Sequence, residues 1–264
     1  MDKRPIGVFD SGLGGLSVIK ELNRVLPDEN IVYFGDTGRL PYGTKSPKTI
    51  IKYAQEDEKF LLSFDVKLII AACGTVSSVA RCTSEQLPVP FIEVVTPAAK
   101  AAVEVTKNGR IGVIGTSATV KSNSYKNAIL ELDNGVSVFQ QACPLFVQLV
   151  EEGWITKDDE ITRLTAERYL KSLKGEGVDT LILGCTHFPA ISEIIADVMG
   201  EDVVLINTGE QAAKAAAEYL KQNDMFGLGA EKRFFVSDRA DSFKSVAGIL
   251  LGSEIDSEVQ TVTL

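Results

Sequence analysis

A chain of 264 residues, 45% of them apolar, can bury a sizeable core either as one large α/β domain or as two small ones. Its 36 acidic against 27 basic residues leave a net charge of −9, which argues against a nucleic-acid partner, because such binding needs a basic face. No apolar run is long enough to span a bilayer and no signal-peptide pattern precedes the first apolar strand, so the expectation is no membrane partner and a cytoplasmic location, where Cys73, Cys82, Cys143 and Cys185 stand as thiols rather than disulfides.

Residues Ile6 to Phe9 read as a buried strand. It runs into Asp10-Ser11-Gly12-Leu13-Gly14-Gly15 and then a helical pattern from Ser17 to Leu26. Strand, glycine-rich turn and helix can present backbone N–H groups to an anion. The spacing of Gly12, Gly14 and Gly15 does not give GxGxxG, so a nucleotide cofactor is not expected. Asn30 to Phe34 is the next strand, ending in Gly35-Asp36-Thr37 and the turn Leu40-Pro41-Tyr42-Gly43. Ser46-Pro47 supplies an N-cap and a first-turn proline for a helix to about Phe64. The strand Leu68 to Ala71 leads to Cys73, followed by an expected helix from Val76 to Leu87 and a strand from Val89 to Val94. Thr96-Pro97 is read as the cap of a helix from Ala98 to Val105 that crosses into the second half.

That half reads as strand Arg110 to Ile114, turn Gly115 to Thr119, helix Ser124 to Leu132 and strand Val136 to Gln140. Ala142-Cys143-Pro144 precedes an apolar helix from Leu145 to Val150 and the run Glu151-Glu152-Gly153. Asp158 is expected to cap a long helix to Leu173, and a strand then reaches Cys185, with Pro189 starting a helix. Strand Val203 to Ile206, a helix capped by Thr208, strand Arg233 to Ser237 and helix Asp241 to Leu251 complete the pattern; the alternation in 254–264 suggests an edge strand. Near-continuous Val, Ile and Leu strands alternating with helices indicate parallel sheets covered on both faces.

Two phrases recur. Leu68-Ile69-Ile70-Ala71-Ala72-Cys73-Gly74-Thr75 is echoed by Leu181-Ile182-Leu183-Gly184-Cys185-Thr186-His187-Phe188, and Ile6-Gly7-Val8-Phe9-Asp10-Ser11 by Ile111-Gly112-Val113-Ile114-Gly115-Thr116. The repeat predicts two related α/β halves with mainly parallel sheets; the expected domains are residues 1–97 with 209–264, carrying Asp10 and Cys73, and residues 98–208, carrying Glu152, Cys185 and His187. Ligands bind such sheets outside the carboxyl ends of the strands, where Asp10, Cys73, Thr116 and Cys185 fall, so the two thiols would meet across an interdomain cleft. A buried cysteine is ordinarily packing, and Cys82 on a helix face and Cys143 before Pro144 are read that way. Two cysteines at repeat-equivalent strand ends point to chemistry instead. His187, the sole histidine, is placed to support a thiolate at Cys185, with Glu152 or Asp10 as the acid that orients its ring. No CxxC pair offers a zinc site and no strand-end lysine offers a Schiff base, so no metal and no cofactor are expected.

These segments, together with Tyr33-Phe34-Gly35-Asp36-Thr37, Pro41-Tyr42-Gly43, Ala142-Cys143-Pro144-Leu145-Phe146-Val147 and Leu183-Gly184-Cys185-Thr186-His187-Phe188-Pro189, resemble the glutamate racemases over essentially the whole chain. The resemblance implies a cofactor-independent isomerase that interconverts L- and D-glutamate for peptidoglycan synthesis, commonly as a homodimer. It implies Cys73 and Cys185 as the proton-transfer residues, Asp10 assisting the first, and Glu152 with His187 assisting the second. Ser11, Tyr42, Gly43, Gly74, Thr75, Thr116 and Thr186, together with Asp10 and His187, would hold the substrate through hydroxyls and backbone amides. One position departs: the family usually has asparagine after the first cysteine, where this chain has Gly74, and the expected consequence is a lost polar contact to substrate. A related racemase acting on aspartate and a non-catalytic two-domain binding protein are the rival readings.

Overall fold

The computed structural model describes residues 1–238, 240–252, 255 and 257–264. Its strands are β1 (Ile6–Asp10), β2 (Ile31–Gly35), β3 (Leu68–Ala71), β4 (Phe91–Glu93), β5 (Arg110–Gly115), β6 (Ser137–Ala142), β7 (Thr180–Leu183), β8 (Val204–Asn207), β9 (Lys232–Val236) and β10 (Val259–Thr261). They form two sheets, in the orders β10-β9-β2-β1-β3-β4 and β6-β5-β7-β8, and every pairing in both is parallel.

The repeat heard in the sequence is a repeat of topology. The order β2-β1-β3-β4 in the first sheet matches β6-β5-β7-β8 in the second, so the two cysteine-bearing strands β3 and β7 occupy the same place beside the opening strands β1 and β5. β9 and β10 extend only the first sheet, along the outer edge of β2. Every residue of β1, β2, β3 and β7 is buried, as expected of strands that are covered on both faces. Helix Val95–Val105 buries Val95, Ala98, Ala99 and Ala102 with Ile111, Val113, Tyr125 and Ile129, which ties the crossing to the second sheet.

Local chemistry shifts several expected boundaries. The long helix expected from Val76 to Leu87 is broken: helix Gly74–Val79 ends at Ala80 (φ −109°, ψ 17°) and a 3-10 segment, Arg81–Gln86, follows. Thr83 helps break it, its hydroxyl bonding the Ala80 carbonyl at 2.9 Å and the Glu58 carboxylate rather than facing solvent. Cys82 in that segment is exposed, so it is not the packing residue expected. Glu93, not Thr96, caps the crossing helix, accepting from the backbone N–H groups of Val95 and Thr96. Asp159 rather than Asp158 caps Glu160–Gly175, and Asn207 rather than Thr208 caps Thr208–Gln222. Ser46 caps Pro47–Leu62 as read, and the tail forms the edge strand β10, although Glu254 and Asp256 lie outside the described residues.

Candidate active site

Each strand end delivers one reactive group. Beyond β3, Cys73 is the N-cap residue of helix Gly74–Val79, with extended backbone (φ −67°, ψ 118°) that turns its side chain off the sheet edge. Beyond β7 the chain passes Cys185 and reaches His187, which caps the short turn Phe188–Ile191, where Pro189 occupies the first turn. β1 ends on Asp10, and β5 leads into Thr116, whose hydroxyl caps helix Ser117–Ser122 by accepting from Thr119 N–H. Cys73, Thr116, Cys185 and His187, with Ser11 just beyond β1, line one cavity of about 280 Å³.

Of the residues expected at the site, Ser11, Tyr42, Gly43, Cys73, Gly74, Thr75, Thr116, Cys185, Thr186 and His187 line this cavity. Asp10 lies beneath it, only 1% exposed; its Oδ2 accepts from Gly12 N–H at 2.9 Å and its Oδ1 has no partner among the described residues. Tyr42 reaches the cavity, but its hydroxyl is committed to the buried carboxylates Asp36 and Asp57, so it is not a free donor to substrate. None of the described lining residues is lysine or arginine, consistent with recognition through hydroxyls and backbone amides.

Glu152 is not at the site. It is exposed at the end of helix Leu145–Glu151, while Glu151 Oε1 meets His187 Nε2 at 3.0 Å and lines the cavity. The reason is helical register. Pro144, Val147, Gln148 and Glu151 all line the cavity, a spacing of three, four and seven that defines one face, whereas Phe146, Leu149 and Val150 are buried in the core. That spacing was available in the sequence and would have selected Glu151 over its neighbour. Leu13 and Leu40 also line the cavity, without a sequence signal to distinguish them from ordinary loop residues.

The two thiols sit in different electrostatic settings. Burial, and then the Asp10 carboxylate, push the Cys73 thiol up to about 12, so it is protonated at neutral pH; its Sγ lies 3.4 Å from Ser11 Oγ. On the other side burial works against a charged His187, but its hydrogen bonds to Cys185 (Nδ1 to Sγ, 3.8 Å) and Glu151 win and raise it to about 10. A protonated imidazole beside Cys185 is the partner a thiolate needs. Asp10 is itself raised by burial, an effect partly offset by the His187 cation. Cys143, buried away from the cavity, has its thiol pushed up by burial and is a packing residue, as read.

One neutral thiol and one cation-supported sulfur flanking a small cavity define an acid–base site able to take a proton from one face of a carbon and return one to the other. The comparisons agree with that class. The Asp/Glu/Hydantoin racemase family model matches residues 6–216. A glutamate racemase of Geobacter metallireducens is 43% identical over 264 residues, covering 98% of this chain and 97% of its own length. Among solved structures, a glutamate racemase isoform of Bacillus anthracis superposes with a TM-score of 0.94 at 37% identity, covering 100% of this chain and 99% of its own. The Francisella tularensis glutamate racemase, solved in complex with D-glutamate, gives 0.92 at 39% identity, covering 100% and 98%. The chain belongs to the Asp/Glu/Hydantoin racemase family.

Proposed function

We propose that the protein is a glutamate racemase, interconverting L- and D-glutamate by proton transfer between Cys73 and Cys185 across a planar carbanion. The observation that carries this reading is the presence of both strand-end cysteines in one cavity, one from each sheet. In one direction the Cys185 thiolate, paired with the His187 imidazolium, removes the α-proton and becomes a thiol. The electron pair left on the α-carbon delocalises into the carboxylate, and the Cys73 thiol protonates the opposite face, becoming a thiolate. The reverse reaction exchanges these roles, which is why both halves carry a thiol. Asp10 beneath the Cys73 side and Glu151 behind His187 act as positioning and charge-balancing groups.

The product D-glutamate would supply peptidoglycan synthesis in the cytoplasm, and a homodimer is the expected assembly. No helix among the described residues is long and apolar enough to cross a membrane. Residues 1–97 with 209–264 are taken as one domain and 98–208 as the other, with the cavity between them. The deciding experiment is circular dichroism of L-glutamate incubated with purified protein and no added cofactor. Decay of the signal to zero supports the reading; a stable signal with glutamate but decay with L-aspartate assigns a different substrate.

A further inference from the structure

Under the cavity wall, one hydroxyl serves two buried carboxyl groups. Tyr42 Oη contacts Asp36 Oδ2 and, at 3.2 Å, Asp57 Oδ2. A phenol has one proton to give and can accept from a second donor. Both carboxyls are 0% exposed, and one guanidinium bridges them: Arg39 Nε donates to Asp36 Oδ2 at 2.6 Å and Nη2 to Asp57 Oδ1 at 2.9 Å. Arg39 also meets Glu56, but that side chain is 37% exposed and faces Lys52 Nζ at 3.8 Å, so solvent and a second cation answer its charge. Two carboxylates against the one guanidinium would leave an uncompensated negative charge in the interior, a cost that a buried acid avoids by keeping its proton.

The count of donors decides which carboxyl keeps it. Asp36 receives three: the Tyr42 hydroxyl and Arg39 Nε on Oδ2, and the Ser237 hydroxyl on Oδ1 at 2.8 Å. Asp57 receives Arg39 Nη2 on Oδ1, while among the described residues its Oδ2 meets only a hydroxyl whose proton is already given to Asp36. We propose that Asp57 is a neutral carboxylic acid whose Oδ2–H donates to the Tyr42 oxygen, and that it is a positioning residue for the wall of the substrate cavity. Tyr42, Gly43 and Thr44 form part of that wall, and the space beside Gly43 is filled by the Thr116 side chain from the second half of the chain. Asp57, on helix Pro47–Leu62, therefore fixes the loop at which the first half meets the second. Burial, and then the Asp36 charge, push its carboxyl well above the ordinary carboxylate range; Glu56 adds to this, and Arg39 and the Tyr42 hydrogen bond oppose it. Burial of this kind can keep a carboxylic acid as a hydrogen-bond donor at neutral pH.

The location of the proton is tested without reference to catalysis; the effect on substrate rests on the racemase reading, which the wild-type assay decides separately. The infrared difference spectrum of wild type minus Asp57→Asn at pH 7 should show the loss of one protonated-carboxyl C=O band. Loss of a carboxylate band in its place would overturn the assignment. Asparagine reproduces the pattern of the neutral acid, its carbonyl toward Arg39 and its amide N–H toward Tyr42, so kcat and KM for glutamate should stay within about twofold of wild type. Asp57→Leu fills the same space without a donor, and KM should rise about five- to tenfold with kcat changed less, the size expected of one lost hydrogen bond. A role in packing alone predicts that asparagine and leucine behave alike. An asparagine variant with raised KM or without a fold, or a folded leucine variant with wild-type KM, would overturn the proposal. Should the leucine variant fail to fold, the infrared difference and the asparagine variant decide it.

Discussion

Replacing Glu151 by glutamine separates the carboxylate that supports His187 from its exposed neighbour. Glu151 Oε1 lies 3.0 Å from His187 Nε2, within a site where His187 is raised to about 10. A hydrogen bond to a charged group contributes about 1.5–3 kcal/mol against about 1 kcal/mol for a neutral one. Glu151→Gln keeps an acceptor but loses the charge, and the difference of about 0.5–2 kcal/mol centres on roughly one pH unit in the histidine midpoint. His187 is the only histidine in the chain, so its Cε1–H resonance can be followed by NMR without assignment ambiguity. The midpoint should fall by about one pH unit, and because the ring remains cationic at pH 7, racemisation should weaken by about tenfold rather than vanish. Glu152→Gln should leave midpoint and turnover unchanged. A midpoint that moves with Glu152 and not with Glu151 would refute the assignment.

Three further outcomes are expected. Because His187 is raised from its ordinary 6.5, the stability it contributes is complete below about pH 6.5 and is lost as pH rises through about 10; denaturant midpoints should decline across that window, and the decline should be smaller in His187→Gln. Lys67→Met should destabilise by about 3–5 kcal/mol in urea unfolding, because it leaves Glu29 charged and buried without the Lys67 Nζ now 2.6 Å away, and adding Glu29→Gln should restore part of the loss. Cys82→Ser, at an exposed position, should change neither stability nor turnover, whereas Cys143→Ser should cost about 1–3 kcal/mol in the same unfolding assay with turnover per folded molecule intact.

The sequence was most legible where chemistry and periodicity coincide. The aliphatic strands ending in Cys73 and Cys185 announced the sheets, their shared topology and both thiols, because a parallel sheet exposes function only at its carboxyl edge. Ser46-Pro47 announced its helix because cap and first-turn proline act locally. What was not legible depended on neighbours distant in sequence. The break at Ala80 involves Thr83 reaching Glu58, and Tyr42 turns its hydroxyl away from substrate because Asp36 and Asp57 wait beneath it. At Gly74 only the structure shows the neighbour, the Gly184 carbonyl oxygen, that an added Cβ would meet. The choice between Glu151 and Glu152 lies between these cases, since the helical spacing from Pro144 would have settled it.

The account stands on two thiols sharing one reaction, and single substitutions read in both directions test that most directly. Cys73→Ser and Cys185→Ser should each suppress L-to-D and D-to-L conversion together, by at least about 1,000-fold, because the acid of one direction is the base of the other and serine is too weak an acid to replace a thiol at neutral pH. The double variant should be little worse than either single one. Most of the activity surviving in either serine variant, or a loss confined to one direction at equilibrium-corrected rates, would contradict it.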